Sequence, residues 1–337
     1  MRKVLIQTLK FLGFLVVGIF LLWLAFRNVN FKELTGGLKE ANYSWLILSL
    51  LFGLFAYFSR ARRWMLLIHP LGYNPSFRHT FYAMMTGYLA NLALPRIGEI
   101  TRCVALGKKE KIPSDQLFGT VVVERTIDFF SILLILAVLI FTSGSRINQF
   151  LKEIIFIPLQ EKVFSLFGFT WIIWSALLLT GFLLLFLMIR YRKNLRRIKF
   201  FSKMFDLARG IINGLKTITS LKSKWEFILH TVFIWICYTL MTWLVVFAVE
   251  DASHMAFGDA VFLLVIGGLG MSVPVQGGIG AFHYAVSRGF AFVQGVNLEA
   301  GSVYAILSHE SQLILIILIG AVSFFIMFGH HHKEEIS

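Results

Sequence analysis

Six runs of about twenty apolar residues constrain this chain more than any other feature, at roughly 8–26, 43–60, 117–142, 169–189, 225–249 and 302–328. At 1.5 Å of helical rise per residue, each is close to the length needed to cross a hydrocarbon core of about 30 Å. A soluble fold of 337 residues would need a charged coat that this one lacks. Its residues are 57% hydrophobic and 15% charged, against about 25% charged in soluble domains. Its solvent is therefore lipid, which excludes a soluble enzyme, a disordered chain and a disulfide-stapled secreted module. Cys103 and Cys237 lie in or beside apolar runs and form no disulfide framework. No small-residue cleavage site follows Phe26, so the first run is expected to remain as a helix.

The net charge of +14 is first a statement about orientation. Arg2, Lys3 and Lys10 lie at the start of the first run. Residues 60–111 carry nine basic and two acidic side chains, and residues 190–224 carry eleven and one. Glu250, Asp251, Asp259 and Glu299 leave the 250–299 region acidic. Basic segments stay in the cytoplasm, so both termini are expected inside, with 24 of the 32 Lys and Arg on that face. The expected location is a bacterial inner or plasma membrane, crossed several times.

That topology forces two segments to turn back. Residues 60–78 and 96–111 are both basic, so the apolar stretch 80–95 must enter the membrane and return to the same side. Gly87, Asn91 and Pro95 offer places to break it. Residues 258–294 lie between two outer loops and contain Gly267, Gly268 and Gly270, then Pro274, Gly277, Gly278 and Gly280. The expected fold class is an all-α polytopic membrane protein with about six full spans and two oppositely oriented re-entrant hairpins. Two short helices kinked by Gly and Pro would be the plainer reading. Residues 1–329 form one transmembrane domain, with a first half at about 43–142 and a second at about 225–328. A basic cytoplasmic linker at 190–224 joins them, and 330–337 make a short tail.

The two breaks look alike. Each is an apolar run, a Pro and nearby Gly, followed roughly 30–35 residues later by polar groups early in a long helix. These groups are Glu124, Arg125 and Asp128 in the first copy, His309 and Glu310 in the second. Short Gly/Pro-interrupted segments at matching positions point to an inverted-repeat transporter site.

Ionisable groups inside a membrane helix cost roughly 2.5–3.5 kcal/mol each on insertion scales, so they read as functional by default. Glu124 and Asp128 share a helix face, and Arg125 can pair with Asp128. An interfacial snorkelling cluster is the competing reading. Glu99 and Arg102 follow the first break, with Arg96 just beyond Pro95. A helix starting near Gly98 would offer free N–H groups to an anion, and Arg96, Arg102 and Arg125 would complete a phosphate seat. Arg60, Arg62, Arg63 and Trp64 end the second run and read as interfacial anchors. The apolar spacing from Phe201 fits an amphipathic helix on the inner leaflet. In the second half, His283, Arg288, His309 and Glu310 read either as hydrogen-bonded helix contacts or as a proton relay. His330–His332 read as a solvated tail. There is no Gly-rich phosphate loop, nucleophile elbow, metal-ligand set or nucleic-acid signature. No cofactor or catalytic residue is expected.

Taken together, Arg60-x-Arg62-Arg63-Trp64, Asn91-x-x-Leu94-Pro95-x-x-Gly98-Glu99-x-x-Arg102, Glu124-Arg125-x-x-Asp128 and Pro274-x-x-Gly277-Gly278-Ile279-Gly280 resemble the flippase-like integral membrane family. That family is also described as the transmembrane region of lysylphosphatidylglycerol synthase. The resemblance spans almost the whole chain and implies a lipid flippase module. Synthase relatives carry a soluble aminoacyl-transferase domain after the membrane part. This chain ends nine residues after Phe328, so lysyl transfer is not expected. Many relatives have Glu where this chain has His283, which puts the coupling chemistry in question.

The expected function is movement of an anionic amphiphile, a phospholipid or a lipid-linked glycan, between leaflets. Arg96, Arg102 and Arg125 would hold its phosphate, with Glu99, Glu124, Asp128 and Asn91 around them. Gly277, Gly278, Gly280, His283, His309 and Glu310 would form the second-half cavity. Without a nucleotide site, transport would be downhill or ion-coupled. The alternatives are a membrane enzyme using Glu124 or Asp128 as general base on a lipid headgroup, and a non-transporting partner of an envelope biosynthesis complex. The partners expected are membrane lipids, with a homo-oligomer also compatible and nucleic acid excluded.

Overall fold

The structure, a computed structural model, describes residues 2–151, 179–180, 221, 223–249 and 255–329. The expected span at 169–189, the amphipathic helix from Phe201, the 190–224 linker and the 330–337 tail lie wholly or almost wholly outside the described residues. Every regular element among the described residues is helical. Ten α-helices occur there: α1 (Arg2–Phe26), α2 (Phe31–Glu40), α3 (Tyr43–Ile68), α4 (Phe77–Ala93), α5 (Gly98–Glu110), α6 (Ser114–Leu151), α7 (Lys224–Val246), α8 (Phe257–Ser272), α9 (Ala281–Gln294) and α10 (Leu298–Phe328).

In hydrocarbon each backbone polar group must be paired within the chain, which is why the apolar runs become helices. Four of these helical stretches are long and apolar enough to cross a membrane: Tyr43–Leu71, Ser114–Thr142, Lys224–Val246 and Leu298–Phe328. Leu15–Phe26 and Phe31–Glu40, bent by 89° at their break, make a fifth if taken as one span. These segments answer five of the six expected runs, and the molecule is an all-α polytopic membrane protein. Large apolar side chains stand out from it, with Phe141 90%, Phe325 71% and Leu134 67% exposed. Such a surface is stable in lipid and not in water.

Polar caps mark the starts. Asn30, Asn42, Ser76 and Asn297 each accept a hydrogen bond from a backbone N–H in the first turn of α2, α3, α4 and α10. The chain divides into two compact units, residues 1–136 with 220–337, and residues 137–219. All that follows concerns the first. There α3 packs chiefly on α7, α4 on α5 and α10, and α9 on α8 and α10.

Both expected breaks are present as turns between antiparallel helices. In the first hairpin, α4 and α5 are joined by 94–97 and approach so closely that a Cβ on Gly87 would lie 2.6 Å from the Gly98 carbonyl oxygen. In the second, α8 and α9 are joined by 273–280, where Gly277, Gly278 and Gly280 take φ of 57°, 76° and 82°. Only glycine adopts these angles without strain. The hairpin ends meet, since a Cβ on Gly277 would lie 3.3 Å from Leu92 Cδ2. Each hairpin then feeds a long helix. Glu124 lies ten residues beyond the start of α6 and His309 eleven beyond the start of α10.

The base of the first hairpin is tied by Glu110, which accepts hydrogen bonds from the Ser76 N–H at 3.0 Å and the His79 ring at 2.5 Å. Partial burial pushes this carboxyl up. The His79 ring and the Ser76 N–H and hydroxyl outweigh that and hold it below its ordinary value of 4.5. A carboxyl held down in the fold stabilises it at any pH above its unfolded value, and that stability is lost as pH falls through the lowered one. Glu110→Gln should therefore cost about 1–2 kcal/mol at neutral pH. The thermal midpoints of variant and wild type should converge as pH drops below 4.5, and parallel curves would refute the tie.

Candidate functional site

The buried charges of α3, α5 and α6 assemble into one cluster. Glu124 is fully buried, as is Arg63, and Arg102 is 1% exposed. Glu124 Oε1 accepts from Arg60 at 2.8 Å and Arg63 at 3.2 Å. Its Oε2 lies 2.9 Å from Arg102, a charge contact without hydrogen-bond alignment. Asp128, one turn further along α6, accepts from Arg60 and Arg63, each at 2.7 Å. Removing a carboxylate from water costs several kcal/mol, and such a group is tolerated only where counter-charges and hydrogen bonds offset the loss. Here each carboxylate has at least two arginines.

The arginines are fixed from behind. Arg102 stacks on the Trp64 ring at 4.6 Å, and Trp64 Nε1 donates to Thr120 at 2.8 Å. Arg60 also donates to the Tyr238 hydroxyl at 3.0 Å. Arg125 differs. It stands 3.6 Å from Glu99 and 3.9 Å from Asp128, with its side chain 40% exposed. Four arginines face three carboxylates, so the cluster carries one positive charge in excess, and Arg125 is the member least engaged.

The structure thus brings together Arg102, Arg125, Glu99, Glu124 and Asp128. Arg96 does not join them; it is exposed at the break, with φ 65°. Asn91 has a structural role, its Oδ1 accepting the Gly98 N–H at 2.7 Å. That N–H is therefore not free for an anion, which corrects the expected helix-terminus seat. Arg60 and Arg63 are the residues that sequence reasoning missed as part of the site. The helix does not end near residue 60 but continues to Ile68, carrying both into the core. Their i, i+3 spacing beside Trp64 was the available signal.

In the second half, His309 Nε2 bonds to the Gly277 carbonyl at 2.8 Å, and the Gly280 N–H donates to His283 Nδ1 at 3.4 Å. Glu310 Oε1 lies 3.2 Å from His283 Nε2 and 3.1 Å from His309 Nδ1. Gly278 shapes the turn by its positive φ. Arg288 stays apart, its guanidinium 3.8 Å over the Tyr284 ring. His283, His309 and Glu310 bring three ligand atoms within 4.8 Å of one another, a grouping that could hold a metal ion. No spacing in the sequence reveals it, because His283 and His309 are on different helices.

A cavity of about 480 Å³ opens beside the charged cluster. Arg60, Arg125 and Asp128 form its charged wall. Trp235 and Tyr238 of α7, Phe282 of α9, and Ser308 and Gln312 of α10 contribute elsewhere. Trp235 Nε1 and Arg125 Nε are buried and meet no acceptor among the described residues. The size matches pockets for small ligands or headgroups, and the unsatisfied donors are suited to an anion.

Comparison with known proteins bears on the whole of this region. Over 94 residues the chain is 33% identical to a UPF0104 membrane protein of Methanocaldococcus jannaschii, covering 27% of this chain and 28% of that protein. No solved structure matches. The sequence model for the lysylphosphatidylglycerol synthase TM region matches residues 10–320, which take in both hairpins, the charged cluster and the cavity. The chain belongs to that family of membrane regions.

Proposed function

We propose that the protein moves an anionic, phosphate-bearing lipid or lipid-linked glycan between the leaflets of a bacterial plasma membrane. The observation that carries this reading is the excess positive charge beside the cavity, with Arg125 loosely held at its wall. A phosphate entering there supplies the missing negative charge and acceptors for Arg125 and Trp235. Acyl chains stay in lipid, so the cavity need hold only the headgroup. Transport is favoured over headgroup chemistry because Glu124 and Asp128 are each committed to arginines, which leaves them poor general bases.

The distribution of basic residues supports cytoplasmic termini. The hairpins then enter from opposite faces and meet at Leu92 and Gly277. Single cysteines at Lys39 and Lys111, both exposed, test this against a background of two buried native thiols. Labelling from opposite sides supports the topology, and labelling from one side refutes it.

The functional test is reconstitution with fluorescent anionic lipids. Arg125→Ala should slow headgroup movement tenfold or more, since a charge-assisted contact contributes about 1.5–3 kcal/mol. Glu99→Gln, which loosens Arg125 further, should also impair movement. A chemically altered lipid would favour a membrane enzyme. Unchanged movement in both variants would defeat the assignment of the site.

A further inference from the structure

Among its described residues, the cavity beside the charged cluster offers a ligand several hydrogen-bond donors and no uncommitted carboxylate. Arg125 and Trp235 bring N–H groups that meet no acceptor among the described residues. The Tyr238 hydroxyl accepts from Arg60 at 3.0 Å, so its own hydrogen is left to donate. Gln312 donates one amide hydrogen to the Ser308 carbonyl at 2.8 Å and keeps the other, together with Oε1. Asp128, the carboxylate on the wall, already accepts from Arg60 and Arg63 and stands 3.9 Å from Arg125.

The acceptors that remain are neutral. The hydroxyls of Thr242, Tyr304 and Ser308 each donate to a main-chain carbonyl, at 3.0, 2.7 and 3.2 Å, which leaves their oxygens with lone pairs. Ligand hydroxyls suit such a wall, since each can donate to one of these oxygens and accept from Gln312 or Tyr238. A headgroup amine does not. An ammonium has three donors and no acceptor, and it is strongly hydrated. Here it would exchange water for donors, neutral oxygens and a cluster with one positive charge in excess. No ion pair would offset that loss.

We propose that the cavity selects a polyol phosphate: a phosphodiester whose headgroup, glycerol or sugar, carries hydroxyls and no amine. The proposal rests on the transport reading above and narrows it from any anionic lipid to one chemical class. Phosphate oxygens go to Arg125 and Trp235, and headgroup hydroxyls to Gln312, Tyr238 and the three neutral oxygens. Gln312 is then the residue that sets specificity, because it alone among these side chains has both a donor and a carbonyl acceptor to give.

The test uses the full chain in vesicles, with fluorescent lipids that share their acyl chains and differ in headgroup. Phosphatidylglycerol and phosphatidylglucoside should move roughly tenfold faster, or more, than phosphatidylethanolamine and phosphatidylserine, a ratio that about 1.4 kcal/mol of lost hydrogen bonding supplies. Phosphatidylserine keeps a net negative charge, so its exclusion separates the amine from the charge. Phosphatidic acid, which has the phosphate and no polyol, should move about tenfold more slowly than phosphatidylglycerol. Gln312→Met should bring that last ratio towards one. A preference between the two polyol lipids would support the class and tell glycerol from sugar. Equal movement of all five lipids, still lost in Arg125→Ala, would overturn the headgroup class and leave the transport reading standing. So would phosphatidylethanolamine keeping pace with phosphatidylglycerol. If no lipid moves, calorimetry with short-chain lipids separates the two claims. Binding of phosphatidylglycerol but not phosphatidylethanolamine, weakened in Gln312→Met, would uphold the class and defeat transport. Equal binding of both, or none, would defeat the class and transport together.

Discussion

Glu124→Gln is expected to lower stability by about 3–5 kcal/mol, the range for removing one partner from a buried ion pair. Glu124 faces Arg60 and Arg63 through one oxygen and Arg102 through the other, and none of these four side chains is more than 7% exposed. Glutamine keeps the shape and one acceptor but no charge, so Arg60 and Arg63 are left with Asp128, and Arg102 loses the one carboxylate it contacts among the described residues. Asp128→Asn should cost less, because Asp128 is 16% exposed and does not reach Arg102. Thermal unfolding of the purified variants in detergent would read the difference. Adding Arg102→Met to Glu124→Gln should recover part of the loss, since it removes an uncompensated charge and leaves a side chain that still packs on Trp64. An unchanged midpoint in Glu124→Gln would mean that the cluster is solvated and the ion pairs contribute little.

The same cluster separates what was legible in the sequence from what was not. The apolar runs gave the spans, because length and hydropathy alone decide what can sit in a bilayer. The turns at Pro95–Gly98 and Pro274–Gly280 were legible because Pro and Gly interrupt helices by local chemistry. Glu124, Arg125 and Asp128 stood out as charges in an apolar run. Arg60 and Arg63 did not, since basic residues after an apolar run ordinarily mark the membrane surface. Their burial depends on carboxylates more than sixty residues away, a pairing that no local pattern encodes. Arg96 misled for the complementary reason: it is near Arg102 in sequence, but the turn with φ 65° leaves it exposed. The helix α2 was not expected, being short and only weakly apolar. The meeting of His283 with His309 and Glu310 needs α9 packed on α10, which only the fold supplies.

Gly98→Ala should be the most disruptive single methyl group in the first hairpin, and Gly119→Ala a harmless one of the same chemistry. A Cβ on Gly98 would lie 2.0 Å from the Gly87 carbonyl oxygen and 2.6 Å from Asn91 Cγ. Both obstacles are constrained. The first is helix backbone, and the second is the side chain that accepts the Gly98 N–H. Relief requires α4 and α5 to separate, which breaks that hydrogen bond and draws Arg102, one turn along α5, away from Glu124. Overpacking alone costs about 1–3 kcal/mol, and the disturbed ion pair adds to it. Gly119 lies on the exposed face of α6 with nothing within 4 Å of its would-be Cβ. Alanine there should raise stability by up to about 1 kcal/mol through the lost freedom of the unfolded chain. The hairpin effect should also appear in function. Gly98→Ala should impair lipid movement as severely as Arg125→Ala, whereas Gly119→Ala leaves it intact. Equal melting temperatures for the two glycine variants would show that α4 and α5 are not packed at contact distance.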